Sequence, residues 1–403
     1  MSFGALSDIR IVDLTQMLAG PYGTMMLADH GAEVIKVESP TGDMTRPNGP
    51  WHTDDAQKTH GGYFQSVNRN KKSIVLDLKS TDGRDALLAL VRDADAITEN
   101  FRVGVMEKLG LSYETLRQVN PKLVYGTLRG FGDPRTGHSP YAEWPAFDVV
   151  AQAMGGIMGI TGPGPEHPTK VGPGIGDIVP GMMLAFGVLA AIHHARRTGT
   201  GQFVDVSMLD AVLAVCERAV YQHDITGTVP APLGNGHPFM CPFGQFPAKD
   251  GHVTIAAPHQ SFFERLCDLI DVPALKDDKR FASPELRGRN REVLEELLAA
   301  ATSCFTKAEL MQRLGGQIPF GPVMQMDEIA EDPHFAARDM IVPVEQPGSA
   351  RATRIAGVPV KLSETPGGIH SRGPYLGEHT KEILRRAGFT DSHIDRLQAA
   401  LPA

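Results

Sequence analysis

Five short apolar runs separated by helical stretches fill the first third of the chain, and this alternation constrains the fold more than any other feature. The runs are Ile9–Leu14, Glu33–Glu38, Ser73–Leu78, Ala96–Phe101 and Leu123–Leu128. Between them, helical periodicity extends from Pro21 to near Gly31, over Gly83–Arg92 and over Val105–Val119. Strands that alternate with helices at this spacing predict right-handed βαβ units and a Rossmann-like parallel sheet in an α/β fold. Thr41–Thr59, rich in Pro, Gly and Asp, interrupts the series and reads as a long surface loop.

Beyond the sheet the punctuation changes. Ala151–Gly176 is dense in Gly and Pro and leads into an apolar stretch, Ile178–Ile192. That stretch falls short of the roughly 20 residues a spanning helix needs. It also carries Pro180, Gly181 and Gly187, so it reads as a buried core helix and no membrane partner is expected. A further helical stretch, Val206–His223, precedes a Gly/Pro-rich candidate linker at Thr226–Pro247. Gly251–Ala256 is strand-like, Phe262–Ile270 helical, and Arg287–Ala301 reads as one charged amphipathic helix. In the tail, GVPVKLS reads as a strand and PYLGEHTKEILRRAG as a helix. With 403 residues, two domains are the natural prior. The expected division is a large domain over 1–225, a smaller α+β domain over 226–335, and a segment over 336–403 returning to the first.

Composition excludes some partners. A net charge of −8 argues against a sequence-independent grip on nucleic acid, which needs a basic face. The start, MSFGALSDIR, lacks the basic segment and apolar run of a secretory signal. Cys216, Cys241, Cys267 and Cys304 lie far apart without a CxxC pair. They read as reduced thiols of a cytoplasmic protein, not as a disulfide framework or a metal site.

Asp177 is the leading candidate for chemistry. Gly172, Gly174 and Gly176 precede it and clear side chains from its surroundings, and the apolar helix follows it. Its competing role is that of a helix N-cap. GxGxGD is not GxGxxG and no apolar strand leads into it, so a nicotinamide site is rejected. Asn100, Phe101 and Arg102 end a predicted parallel strand, where ligands of such sheets bind. An amide, a stacking face and a cation there suit an adenine nucleotide, and Lys108 follows within reach of a phosphate. Lys71 and Lys72 read as solvated charge. His193, His194, Arg196 and Arg197 suit the last turn of a helix. His237, in the flexible GNGHP segment, is placed to lie over a site. No GxSxG elbow is present, and Ser207 reads as the opening of a helix.

Read together, these segments resemble the class III CoA-transferases, the CaiB/BaiF family that includes formyl-CoA transferase and carnitine CoA-transferase. The resemblance runs nearly the full chain. It rests on IVDLT with AGP at 19–21, GAEVIKVESPTGDMTR at 31–46, NKKSIVLDLK at 70–79 and ENFR at 99–102. It continues through QAMGGIMGITG at 152–162, GIGDIVPG at 174–181 and RTGTGQFVDVSMLDA at 197–211. GNGHP at 234–238, IPFGPV at 318–323 and LGEHT at 376–380 complete the ordered set.

The resemblance implies that Asp177 attacks an acyl-CoA thioester, giving an aspartyl acyl anhydride and then an aspartyl-CoA thioester. It implies a CoA site lined by Ala19, Leu76, Asn100, Phe101, Arg102 and Lys108, with CoA as a substrate moiety and no permanently bound cofactor. Lys108 stands where formyl-CoA transferase has an arginine, so a point charge replaces a fork. Leu18, Phe147 and Asp148 fall at the acyl pocket, and Gly234, Asn235, Gly236 and His237 match the glycine-rich lid. Leu18 and Phe147 replace a glutamine and a tyrosine of formyl-CoA transferase, and the lid is shorter and carries His237. These departures leave formyl and oxalate specificity unassigned and point to a dicarboxylic acid such as succinate. An interlocked homodimer is also implied. Two alternatives stand beside this reading: an α-methylacyl-CoA racemase, and a non-catalytic CoA-binding protein. Racemase relatives carry a His immediately before the aspartate matching Asp148. Phe147, in that place, cannot exchange a proton.

Overall fold

The computed structural model describes residues 4–400 and divides into two compact units. One comprises Met1–Met158, Lys170–Tyr221 and Pro333–Ala403; the other comprises Gly159–Thr169 and Gln222–Asp332.

The larger unit is built on six parallel strands: β1 (Arg10–Asp13), β2 (Glu33–Glu38), β3 (Lys72–Val75), β4 (Ala96–Glu99), β5 (Val124–Arg129) and β6 (Phe203–Ser207). Their order is β3-β2-β1-β4-β5-β6, so the chain reverses its direction of travel between β1 and β4. The intervening helices are α1 (Ala19–Asp29), α2 (Gly62–Asn68), α3 (Thr81–Arg92), α4 (Val105–Lys108) and α5 (Tyr113–Val119). The stretch expected as one helix from Val105 breaks into α4 and α5 because Gly110 adopts φ +72°, which ends a right-handed helix. The sixth strand lies where a turn running into a helix was expected. Only from Ser207 does the chain become helical, with Ser207 Oγ accepting from the Asp210 N–H at 3.2 Å.

Three further helices of this unit position the site: α6 (Asp148–Met154), α7 (Ile175–Thr198) and α8 (Met208–Val215). At 24 residues, α7 outruns its apolar core and is long and apolar enough to cross a membrane by length and composition. One side of it packs into the core, while Met182, Met183 and Phe186 on its other side are exposed. Leu184, Val188, Ala191 and Ile192 are buried, and α7 lies against α1, β5 and β6. The contact with α1 is made by glycines. A Cβ on Gly23 would stand 2.4 Å from the Gly181 carbonyl oxygen, and one on Gly181 would stand 2.3 Å from that of Ala19. Near the C-terminus, Ile383, Leu384, Ile394 and Leu397 join the core formed by β1–β5. GVPVKLS forms no strand; the antiparallel pair in this region is β10 (Ile341–Val344) with β11 (Thr353–Ala356).

The smaller unit holds an antiparallel sheet of β7 (Phe243–Ala248), β8 (Gly251–Ala256) and β9 (Phe320–Pro322). Its helices bury Phe263, Leu266, Leu294, Leu298 and Leu310 against that sheet. The expected Arg287–Ala301 helix is two, Pro284–Arg289 and Arg291–Thr302, and Arg287 is fully buried. Its guanidinium donates to the carbonyls of Cys241, Phe281 and Pro258.

Thr41–Thr59 is not only a surface loop. It sends Asp43, Thr45 and Arg46 into the interior, where Arg46 pairs with Glu38 at 2.6 Å. Lys71, read as solvated, is fully buried and 3.1 Å from Asp13. Lys36 is equally buried and 2.8 Å from Asp43. Burial alone would raise the Asp13 pKa. Lys71, Lys36 and the Thr15 and Thr24 hydroxyls outweigh it and hold the carboxyl at about 2. Burial pulls Lys71 down to about 8 against the opposing pull of Asp13.

Candidate active site

The reversal between β1 and β4 leaves a crevice at the carboxyl ends of the strands, the place where open α/β sheets bind ligands. Segments following three strands meet there around a cavity of about 630 Å³: Gln16 and Met17 after β1, Asn100–Val103 after β4, and Leu128–Gly130 at the end of β5. Ala19, Phe147, Asp148, Lys170 and Asp177 complete the part of the wall that matters here. Its size is that of a site for one sizeable organic ligand.

The β1 segment is held by its backbone. Asn100 donates its amide to the Gln16 carbonyl and accepts from the Gln16 N–H, both at 2.8 Å. Lys36 Nζ donates to the Thr15 carbonyl at 2.7 Å. Met17, at φ +68°, then occupies the left-handed region that non-glycine residues rarely adopt. Asn100 thus reaches the cavity wall, but its amide serves the loop and is not left for a nucleotide. Phe101 is fixed similarly. Its N–H donates to Glu99 at 2.6 Å, and its carbonyl accepts from Arg129 Nε at 3.2 Å.

Asp177 lies in the first turn of α7. It is not the cap of that helix; Gly174 holds the N-cap position. The glycines before it serve packing more than ligand access. A Cβ on Gly176 would meet the Asp148 carbonyl oxygen at 2.7 Å, and one on Gly174 would meet Leu18 at 3.0 Å. Only Gly172 of the three faces open space. The close approach of α6 and α7 brings two carboxylates together. Asp148 is tied down, accepting from the Gly176 N–H at 2.8 Å and from Gln152 at 2.9 Å. Asp177 titrates at about 7, raised first by burial and then by the neighbouring Asp148 charge. Burial, then the Asp177 charge, pushes the Tyr63 hydroxyl on the same wall up to about 12. A poorly hydrated carboxylate at the mouth of a ligand-sized cavity is suited to nucleophilic attack.

Of the residues expected to bind CoA, Ala19, Asn100, Phe101 and Arg102 line this cavity together with Asp177. Leu76 does not: it is buried in the sheet core and borders a separate small cavity with Ser80 and Leu397. Lys108 is exposed and absent from the wall. In the smaller unit, Asn235, Gly236 and His237 line a different cavity, and Gly234 adopts φ +62° beside them. There Arg291 donates to the His237 carbonyl at 2.8 Å, and His237 Nδ1 accepts from the Phe239 N–H at 3.2 Å. Sequence reasoning missed Lys170 and Arg129, whose basic side chains carried no local pattern to mark them.

Residues 6–380 match the family described as CoA-transferase family III. The chain is 48% identical over 385 residues to a succinyl-CoA:mesaconate CoA-transferase of Haloarcula hispanica, covering 96% of this chain and 97% of that one. It is 37% identical over 385 residues to a succinate–glutarate CoA-transferase of Agrobacterium fabrum, covering 94% of each. The crystal structure of a CaiB/BaiF family protein from Brucella suis matches with a TM-score of 0.86 at 34% identity, over 96% of this chain and all of that one. A carboxylate of raised pKa on the wall of a cavity at the switch point of a parallel sheet thus occurs in a chain that belongs to CoA-transferase family III.

Proposed function

We propose that this CoA-transferase moves CoA between dicarboxylic acids of about four or five carbons, with succinyl-CoA as a donor and Asp177 as the nucleophile. The observation that carries the mechanism is the half-buried, hydrogen-bond-poor Asp177 carboxylate on the same cavity wall as Phe101 and Arg102. The substrate class is supported by the relatives, whose names pair succinyl-CoA with mesaconate and succinate with glutarate.

In the first step an Asp177 oxygen attacks the thioester carbonyl, the C–S bond breaks, and an aspartyl acyl anhydride and CoA thiolate form. The thiolate then attacks the aspartyl carbonyl of the anhydride, giving an aspartyl-CoA thioester and releasing the donor acid as its carboxylate. The acceptor carboxylate attacks that thioester, and the steps run in reverse to give the new acyl-CoA. A carboxylate is a weak nucleophile, so its desolvation and placement must supply much of the rate. Phe147, 61% exposed and on the cavity wall, offers no proton, which counts against racemase chemistry.

The direct assay gives the purified protein succinyl-CoA with a panel of acids and follows each new acyl-CoA by chromatography. Transfer to C4–C5 dicarboxylates well above transfer to matched monocarboxylates is expected; transfer to monocarboxylates alone would overturn the substrate class. Because Asp177 must be ionised to attack, kcat/KM is expected to rise with pH through a midpoint near 7. Asp148→Asn keeps an acceptor for the Gly176 N–H but removes the like charge, so that midpoint should move to lower pH. An unmoved midpoint would mean that Asp148 does not act on the nucleophile.

His237 is our proposed partner for a distal substrate carboxylate. His237→Ala is expected to raise the KM for dicarboxylates roughly tenfold, about the worth of one hydrogen bond to a charged group. Unchanged dicarboxylate turnover would remove His237 from the site. A homodimer is proposed on the exposed apolar face of α7 and α8. On these helices Phe186 is 76% exposed and Leu213 51%, and Met182 and Val215 are exposed as well, apolar surface that a monomer would leave in water. The free cysteines, three of them buried, fit a reducing cytoplasm.

A further inference from the structure

Three cations line the active-site cavity: Arg102, Arg129 and Lys170. Arg129 is committed elsewhere: it pairs with both Glu99 and Asp133 and holds the Phe101 carbonyl. Arg102 is exposed, on the segment after β4. Lys170, on the approach to α7, is the one whose side chain is held next to Asp148.

The chemistry of the cavity needs such a charge. Asp148 and Asp177 already place two carboxylates on the wall, and a dicarboxylic acyl group brings a third that keeps its charge throughout the reaction. Like charges on one wall of a partly desolvated cavity repel strongly unless a cation stands among them. Lys170 is held for that role. Its Nζ lies 3.9 Å from Asp148 Oδ2, and it donates to the carbonyls of Val171 at 2.9 Å and Gly172 at 3.0 Å. A half-exposed lysine would ordinarily spread into solvent. Here its own backbone folds it back over Asp148, which is in turn anchored by Gln152 and the Gly176 N–H. The two carbonyls are neutral acceptors, and a substrate carboxylate that displaces them gains a charge-assisted bond.

We infer that Lys170 is the specificity-determining residue that binds the distal carboxylate of the dicarboxylic acyl group, with Asp148 as its tether. The inference rests on the dicarboxylate reading above but not on His237. Its test measures kcat and KM for a C4 dicarboxylate and for butyrate as acceptors, with one donor, in wild type, Lys170→Met and Lys170→Arg. Lys170→Met is expected to lower the ratio of dicarboxylate to butyrate kcat/KM by roughly 10- to 100-fold, through a higher dicarboxylate KM. Lys170→Arg, which keeps the charge, should recover most of that ratio. A wild-type preference that survives intact in Lys170→Met overturns the role of Lys170 while leaving the dicarboxylate reading standing. No wild-type preference at all overturns that reading and the inference with it. A fall in kcat for both acceptors with the ratio unchanged would show a merely structural lysine and also overturn the inference.

Discussion

Asp177→Asn is expected to abolish CoA transfer, by on the order of 10⁴-fold or more, while making the protein more stable. The loss follows because an amide cannot form the anhydride, and no other carboxylate on the cavity wall is free to replace it: Asp148 is committed to Gly176 and Gln152. The gain follows from the titration. The folded carboxyl titrates at about 7 instead of its ordinary 3.8, so the fold disfavours its ionised form. Stability from this group is fully present below about pH 4 and is lost as pH rises through 7. Asparagine does not titrate, so the variant's advantage should be absent at pH 4, grow between pH 4 and 7, and level off above. Allowing for partial exposure of the site, it should reach on the order of 2 kcal/mol at pH 8. Urea unfolding at pH 5 and pH 8 measures it. A variant that keeps transfer within tenfold of wild type would place the nucleophile elsewhere. A variant equally stable at both pH values would mean that the site does not strain its carboxylate.

The second large effect concerns the buried charges behind the site. Lys71→Met is expected to destabilise the protein by about 3–5 kcal/mol, because removing one partner of a buried pair leaves the other uncompensated. Lys71 Nζ donates to Asp13 at 3.1 Å and to the Pro21 carbonyl and Asn68 at 3.0 Å, so three acceptors would lose their donor. One of them, Pro21, lies in α1 close after the Gln16–Leu18 loop. Activity should therefore fall together with stability. The wild-type network also predicts acid sensitivity. Asp13 titrates at about 2 in the fold against an ordinary 3.8, so its stabilising contribution holds above about pH 4 and fades as pH drops toward 2. Urea midpoints at pH 7 check the first expectation; a loss below about 1 kcal/mol would show that the hole left by Lys71 is hydrated and the pair unimportant.

Much of the larger unit's framework was legible because its strands are short apolar runs separated by helices, a local signal. β6 escaped because Asp205 interrupts the valines and no residue of the strand except Ser207 is fully buried, leaving little contrast with the helix after it. The buried lysines escaped for another reason. Lys36 and Lys71 carry the same local signature as surface lysines, and only β-sheet register and the inward turn of the loop at Asp43 supply their partners. Within the site, Asp177 and the Asn100–Arg102 segment were readable from their places relative to predicted elements. What each does there was less so. The Asn100 amide is spent on Gln16, and Gly174 and Gly176 make room for Leu18 and Asp148 rather than for substrate. Leu76 came from resemblance alone, Lys108 also from its place after Arg102, and neither borders the cavity. Lys170 shows the limit most clearly. Its significance lies in Asp148, more than twenty positions earlier in the chain, which sequence spacing alone does not bring near it.

In the proposed mechanism Asp177 carries the acyl group and then CoA. The most direct test mixes the wild-type protein with succinyl-CoA, traps the intermediate with hydroxylamine or borohydride, and maps the modified peptide by mass spectrometry. Modification is expected at Asp177, dependent on the donor and absent from Asp177→Asn. A donor-dependent adduct on another residue, or steady turnover with Asp177 unmodified at every time point, would contradict it.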